Sequence, residues 1–261
     1  MKHIKILIKY IWYYITSKNE HSVHSPFVYN FVANVIYNKN QSEDFEKIKR
    51  LKQQLFKLND KINIVDFGAG SNINKSKERQ VKDIAINSAK NEKFGKLLYR
   101  TSQYSQAQNI VELGTSLAIS TCYLAKANPS SHIYSFEGCP ETIKIAKKNL
   151  AYLDINNVSI IEGDFKLTLE KNLKKTKTVD FVFVDGNHQE IATIQYFDLI
   201  LKHSHNDTIF IFDDIYWSKG MENAWNHIKQ HDKSTVTIDL FFVGIVFIKK
   251  ELSKENFKIR F

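Results

Sequence analysis

The spacing of hydrophobic and polar positions changes near residue 109. Before that point apolar residues recur at helical spacing, which predicts helices over residues 4–15, 26–37, 42–58, 76–88 and 90–102. After it, short apolar runs alternate with amphipathic segments, which predicts strands alternating with helices. Such alternation favours a parallel sheet that is covered by helices on both faces.

The apolar runs predict seven strands for that sheet, over residues 110–113, 132–136, 158–161, 179–184, 208–212, 235–242 and 244–248. The last two runs meet closely around Val243, so the final strand is expected to run antiparallel. The expected fold class is α/β, with a Rossmann-like, seven-stranded, mostly parallel sheet and an antiparallel last strand. We predict two domains, a helical extension or lid over residues 1–105 and the sheet domain over residues 106–261.

Composition and charge set limits on partners. Hydrophobic residues make up 43% of the chain, which is enough for a globular core. The net charge of +9 suits an anionic partner such as nucleic acid, a phosphorylated substrate or a membrane surface. The lysines are scattered, however, and we find no RNA-binding motif in the sequence, so nucleic acid is not favoured.

The cysteines indicate a reducing compartment. Cys122 and Cys139 are too few to form a disulfide framework, which fits a cytoplasmic protein. Cys122 is expected to be a small buried residue on a helix. Cys139 is expected to be an incidental loop residue.

Residues 4–15 form an apolar helical segment interrupted by Lys5 and Lys9. The segment is too short to span a bilayer, and it has no small-residue cleavage site of the kind that ends a signal peptide. We expect a helix that packs on its own domain or on the mate in a homodimer. The alternative is an interfacial membrane helix that uses Trp12, Tyr13 and Tyr14.

Polar residues follow successive strands of the alternating region, where open α/β sheets bind ligands. The first strand ends in Glu112-Leu-Gly-Thr-Ser116, where a Gly allows close backbone approach and the next helix offers free N–H groups. Glu137 can accept from ribose hydroxyls and Asp164 from an adenine amino group, while Asp185 follows the fourth strand. This order predicts a site for S-adenosyl-L-methionine (SAM), with another nucleoside ligand as the alternative. The candidate donor-binding residues are Glu112, Gly114, Thr115, Ser116, Ser120, Glu137, Gly138, Asp164, Phe165 and Asp185.

A second glycine-rich stretch competes for this role. Residues 64–70 read IVDFGAG, but no strand ending in an acid follows about 20 residues later, as a nucleotide-binding unit requires. Residues 83–93 are instead polar and helical in pattern. We therefore assign Asp66–Ser71 either to a loop over the site or to a structural turn.

Several longer segments of the sequence resemble those of a known family. They read VELGTSLAISTCYLA, FVFVDGNH, IFDDIYWSKGMENAW and IDLFFVGIVF, with HSPFVY and DFGAGS upstream. Together they resemble a bacterial family of class I SAM-dependent methyltransferases of the O-methyltransferase-like kind. More distantly, the layout is similar to that of catechol, caffeoyl-CoA and macrolide-sugar O-methyltransferases.

This resemblance implies a metal site. In the distant relatives an Asp after the fourth strand and an Asp-Asn or Asp-Asp pair after the fifth bind a divalent metal, which corresponds here to Asp185, Asp213 and Asp214. Mg²⁺ prefers such hard oxygen ligands and lowers the pKa of a bound hydroxyl. Asp214 departs from the Asn of the catechol enzymes and matches the macrolide-sugar enzymes. The alternative is that Asp213 and Asp214 cap the following turn and helix or contact only the donor.

The resemblance also implies a general base. His188 lies three residues past Asp185, where the catechol enzymes carry a catalytic Lys. Imidazole titrates near neutral pH and can take that role, while packing or support of a metal is the alternative. The candidate catalytic residues are therefore His188 and Asp185. Three further residues are candidates for the acceptor pocket: His24, Tyr216 and Trp217.

The expected function is metal-assisted methyl transfer from SAM to a hydroxyl of a small or lipid-linked acceptor, with Mg²⁺ as the metal. One rival is an RNA or protein methyltransferase, which the charge of +9 favours. Another is a non-catalytic SAM-binding domain. Asp185, Asp213 and Asp214 argue against it, because a scaffold needs no cluster of hard oxygen ligands at the donor site. Membrane contact through residues 4–15 and a homodimer stay open alternatives.

Overall fold

The structure is a computed structural model, and it describes residues 2–65, 77–88, 91–176 and 178–261. Its helices are α1 Lys2–Thr16, α2 Pro26–Phe31, α3 Glu43–Leu55, α4 Val81–Ser88, α5 Glu92–Ser105, α6 Ile119–Ala127, α7 Pro140–Tyr152, α8 Phe165–Leu173, α9 Glu190–Leu201 and α10 Lys219–Gln230. Its strands are β1 Lys61–Asn63, β2 Glu78–Gln80, β3 Asn109–Leu113, β4 His132–Glu137, β5 Val158–Glu162, β6 Val179–Val184, β7 Ser204–Asp213, β8 Val236–Asp239, β9 Val243–Phe247 and β10 Glu255–Lys258.

The main sheet has the order β10-β8-β9-β7-β6-β3-β4-β5. Strands β3, β4 and β5 are parallel, and β9 runs antiparallel to both β7 and β8, as predicted. The described part of the sheet has eight strands rather than the predicted seven, because β10 adds an edge strand parallel to β8. Its sequence, ENFK, is mostly polar and half-exposed or exposed, so no apolar run marks it as a strand.

Two elements differ from the helices predicted before residue 109. The start of the predicted helix over residues 76–88 is strand β2, which pairs antiparallel with β1. The predicted helix over residues 26–37 is α2 followed by a π-helical turn, Val32–Ile36. At β2 the residues read ERQ, so no apolar spacing specifies a helix there, and pairing with β1 decides the conformation.

The chain forms two compact units, and the division falls within β6. Unit 1 comprises residues 1–38 and 182–261, and unit 2 comprises residues 39–181. The division into domains predicted at residue 105 concerns a different boundary and stays a prediction.

Unit 2 is built around the buried strand β3. Ile110, Val111 and Leu113 have no exposed surface, which fits a strand covered on both faces. The carboxylate of Asp180 accepts from the backbone N–H groups of Gln108 and Asn109, at 2.8 and 2.7 Å, and so fixes where β3 begins.

Unit 1 is built around β7, β8 and β9. Residues 209–212 of β7 read IFIF and are buried on both faces. Trp225 of α10 is 1% exposed and lies against Gly244 of β9, where an added Cβ would come within 2.6 Å of the indole ring. The absence of a side chain at Gly244 therefore lets α10 pack closely on the sheet.

Candidate functional site

The turn between β3 and α6 has the backbone geometry expected of a ligand-binding loop. Gly114 has φ 107°, and Ser116 and Ala118 also lie in the left-handed region, at 47° and 63°. The N–H groups of Gly114 and Thr115 both donate to the carbonyl of Phe136, at 3.0 and 3.1 Å, which ties the turn to the end of β4. Because no side chain caps the first turn of α6, its N–H groups can receive a ligand.

Glu112 is a fully buried carboxyl beneath this turn. Its Oε2 accepts from Thr121 Oγ1 at 2.6 Å and from Ser135 Oγ at 2.5 Å. Burial raises the pKa of Glu112 to about 7, although the two hydroxyl donors oppose that change. Its Oε1 has no hydrogen-bond partner among the residues that the structure describes. Glu112 thus offers one unused polar atom directly below the turn.

Glu137 ends β4 and holds the turn from its other side. Its two carboxylate oxygens accept from the N–H groups of Ser116 and Cys139, at 2.7 and 2.8 Å. Burial raises the pKa of Glu137, while these backbone donors lower it. A carboxylate fixed by two backbone donors keeps lone pairs for the hydroxyls of a ribose.

Cys139 corrects one prediction. It is 1% exposed and is the N-cap of α7 rather than an incidental loop residue. Its Sγ donates to the carbonyl of Asn63 and accepts from the N–H of Val65, both at 3.4 Å. Cys122, by contrast, is a fully buried residue of α6, as predicted.

Asp164 has a structural role in addition to the predicted ligand contact. Its Oδ1 accepts from the N–H of Lys166 at 2.9 Å and caps α8. Gly163 before it has φ 128°, and the ring of Phe165 after it lies edge-on to Phe136, with centroids 6.4 Å apart. The contact of Asp164 with an adenine stays a prediction.

The described part of unit 2 therefore links several predicted donor-site residues through hydrogen bonds: Glu112, Thr115, Ser116 and Glu137. Gly138 follows Glu137, and Ser120 lies half-buried in the first turn of α6. Sequence reasoning missed Ser135, which is fully buried and joins Glu112 to Thr115. The available signal was a serine between the aromatic residues Tyr134 and Phe136 of β4.

Asp185 and His188 lie together in unit 1. His188 Nε2 is 3.6 Å from Asp185 Oδ1, and both side chains are about one-fifth exposed, at 25% and 15%. Asn187 and His188 have φ 71° and 45°, so two consecutive residues of the loop after β6 lie in the left-handed region of the backbone. Asn187 Nδ2 donates to Tyr196 Oη at 2.9 Å, which anchors this loop on α9.

The two other predicted metal ligands end β7. Asp213 is 1% exposed, and Asp214 is partly exposed with φ 54°. Within the four described ranges, no three His, Cys, Asp or Glu side chains form a group that can hold a metal ion. The three aspartates thus do not fit a three-ligand site as they lie, and the metal stays a prediction from the sequence.

The candidate acceptor-pocket residues are spread over unit 1. Tyr216 Oη donates to Asp239 Oδ2 at 2.6 Å, and its ring stacks on Phe241. Burial raises the pKa of Tyr216 far above its ordinary value, so it stays a neutral hydrogen-bond donor. Trp217 is partly exposed and His24 is exposed, and neither is assigned a role by these contacts.

The competing glycine-rich stretch, Asp66–Ser71, lies outside the described residues. The choice between a loop over the site and a structural turn therefore stays open.

Residues 111–215 match a protein-family model described as a methyltransferase domain. The chain is 27% identical over 124 residues to catechol O-methyltransferase from Niastella koreensis. That match covers 46% of this chain and 55% of the relative, so it spans about half of the relative's length.

Two solved structures share the fold. One is the SAH-bound methyltransferase PaMTH1 from Podospora anserina, with a TM-score of 0.61 and 13% identity, over 87% of this chain and 97% of that one. The other is the O-methyltransferase TomG from Streptomyces achromogenes, involved in tomaymycin synthesis, in complex with SAM. Its TM-score is 0.58 at 18% identity, over 85% of this chain and 95% of that one. At this identity the likeness concerns the fold.

Proposed function

We propose that this protein is a class I methyltransferase that transfers the methyl group of SAM to a hydroxyl of a small acceptor, because residues 111–215 match a family model described as a methyltransferase domain. The observation that carries the proposal is the turn after β3. There Gly114 at φ 107° is followed by an uncapped helix N-terminus, and between them the N–H of Ser116 donates to the carboxylate of Glu137 at 2.7 Å.

The donor-binding roles follow from this geometry. Glu137 would accept from the ribose hydroxyls, and the backbone of Gly114 would allow close approach of the ligand. Glu112, with its unused Oε1, would hold the turn and supply a further acceptor or, when protonated, a donor. Gly138, Asp164 and Phe165 would surround the base.

Proton removal is the chemical task left to the protein. Bound SAM supplies an activated methyl group, and its transfer to a hydroxyl oxygen requires that oxygen to lose its proton. We assign His188 as the base because an imidazole nitrogen can accept the proton in general base catalysis. Asp185, 3.6 Å away, would stabilise the imidazolium that forms.

The proposal covers the chemical class of the acceptor and assigns no step to a metal. The catechol O-methyltransferase relative supports a small hydroxyl-bearing acceptor, and a lipid-linked acceptor is the other form that the sequence suggests. No step above depends on a metal, because Asp185, Asp213 and Asp214 do not form a three-ligand group in the part of the chain that is described. Metal assistance by Mg²⁺ is therefore a question for the experiment.

The test combines donor binding with transfer. Calorimetry with S-adenosylhomocysteine (SAH) should show one binding site per chain, and labelled SAM with catechol as the first acceptor should give a labelled ether. His188→Ala should lower kcat by about a hundredfold or more, since general bases contribute 10²–10⁴. His227→Ala, an exposed histidine of α10, is the matched control and should leave kcat unchanged.

The outcomes separate the rival functions. A chain that does not bind SAH would contradict the proposal. SAH binding with no transfer to catechol or to other phenols and sugars would favour the non-catalytic SAM-binding domain. Loss of transfer in EDTA with recovery in Mg²⁺ would establish metal assistance, and unchanged transfer in EDTA would exclude it.

A further inference from the structure

Helix α1 carries a large apolar face that is exposed to solvent. Six side chains of this 15-residue helix are at least half exposed, namely Ile4, Leu7, Ile8, Ile11, Trp12 and Ile15. Their exposed fractions run from 50% for Ile11 to 67% for Ile15. Monomeric soluble proteins rarely expose a contiguous apolar patch of more than a few hundred Å². Such a face therefore indicates a binding partner.

The opposite face of α1 fixes the helix on unit 1. Tyr13 is 3% exposed and donates through Oη to the carbonyl of Ile259. The rings of Tyr10 and Tyr13 lie 5.1 and 5.3 Å from that of Phe241, measured between centroids. Lys9 forms an ion pair with Glu222 of α10 at 2.7 Å. With this side anchored, the apolar side faces outward and does not serve the core of the unit.

The shape of the exposed face suits a flat surface. At 3.6 residues per turn, the six side chains span an arc of about 140°. Contact between two helices uses a narrower seam than this arc. A lipid surface can bury the whole arc at once. No described helix is long and apolar enough to cross a membrane, so α1 would lie in the plane of that surface.

The charge around α1 favours an anionic surface over a second copy of the chain. The helix contains three lysines, of which Lys9 is paired with Glu222, and no acidic residue. Lys18 and Arg260 are exposed beside its end, and the Arg260 guanidinium lies 4.3 Å from the ring centroid of Tyr14. Two copies meeting through α1 would bring these cations together, on chains that each carry a net charge of +9. Anionic headgroups attract them instead, by about 1 kcal/mol for each basic residue near the surface.

We infer that α1 docks this chain on anionic lipid, with Trp12 and the isoleucines buried at the boundary between headgroups and acyl chains. This inference does not depend on methyl transfer, because its test measures binding alone.

The test is sedimentation of the full chain with vesicles. Vesicles of phosphatidylcholine mixed with phosphatidylglycerol should bind the chain, and pure phosphatidylcholine should bind it at least tenfold more weakly. Adding about 1 M salt should weaken binding by shortening the Debye length to about 3 Å. Trp12 fluorescence should shift to shorter wavelength on binding, and this shift should be absent in Trp12→Phe.

Matched substitutions separate the face from general effects of charge. The double variant Ile8→Glu with Ile15→Glu should lose at least tenfold in vesicle affinity, with an unchanged circular dichroism spectrum because both side chains are exposed. Ile191→Glu on α9, 71% exposed, should bind as the unaltered chain does. Absence of vesicle binding by the unaltered chain would overturn the inference, as would a dimer in solution that the double variant dissociates.

Discussion

At the scale of single residues, the predicted donor site contains two buried carboxyls with different surroundings, Glu112 and Glu137. Glu137 receives two backbone N–H groups, whereas Glu112 receives two hydroxyls and keeps one oxygen without a partner among the described residues. Backbone donors cannot rotate away, so they hold a charged carboxylate. Hydroxyls can both donate and accept, so the network around Glu112 accommodates a protonated carboxyl.

This difference predicts a pH dependence of stability. The pKa of Glu112 is about 7 in the folded chain against 4.5 for the unperturbed group, so between these values the folded state binds the extra proton. Stability should therefore fall as pH rises from about 4.5 to about 7, by at most about 3.5 kcal/mol at about 1.4 kcal/mol per pKa unit. Urea unfolding of Glu112→Gln should show a shallower fall. Glu162→Gln, at an exposed position that ends β5, should retain the full fall; equal slopes in all three chains would contradict the raised pKa.

At the scale of elements, the position of α6 depends on how closely α5 packs against it. Gly95 of α5 faces Tyr123 of α6, and a Cβ at Gly95 would come within 2.2 Å of the Tyr123 ring. Tyr123 is 4% exposed, so the ring has little room to move. Because α6 begins at the turn that is the predicted donor site, this contact helps to position that turn.

Gly95→Ala tests this contact. Helix propensity alone favours Ala over Gly by about 1 kcal/mol, but overpacking a tight core costs about 1–3 kcal/mol, so the clash should prevail or at least cancel the gain. We expect a lower free energy of unfolding in urea. Gly220→Ala on α10 is the control, because its nearest neighbour is an ordinary contact at 3.4 Å from Glu190 and the substitution should be stabilising. If Gly95→Ala were stabilised as much as Gly220→Ala, the close packing would be refuted.

At the scale of the whole molecule, the predicted donor-binding residues up to Phe165 lie in unit 2, while His188, Asp185, Asp213 and Asp214 lie in unit 1. Each unit has its own buried strands, around β3 in one and β7 in the other. Substitutions in unit 2 should therefore change SAM or SAH binding, and substitution of His188 in unit 1 should change proton removal without changing that binding.

Thermal unfolding with SAH measures that dependence. At a concentration of one hundred times Kd, a ligand that binds only the folded state contributes about 2.7 kcal/mol. For a chain of this size, that corresponds to a rise in Tm of about 5–10 °C. Glu137→Gln should reduce the rise at the same SAH concentration, and His188→Ala should leave it unchanged. An equal loss in both variants would contradict the assignment of separate roles.

The sequence by itself determined the order of strands and helices between residues 109 and 248, because apolar runs and strand-end residues are local signals that packing did not override. It also indicated that the last predicted strand runs antiparallel, which is confirmed in β9, and it placed the acids Glu112 and Glu137 at the turn. Only the tertiary structure decided the edge strand β10, the role of Ser135 and the burial of Cys139, since each depends on partners distant along the chain.

The same holds for the outward face of α1, because apolar spacing marks an amphipathic helix but does not say which side meets the protein. Tertiary packing fixed that choice by placing Tyr10 and Tyr13 against Phe241.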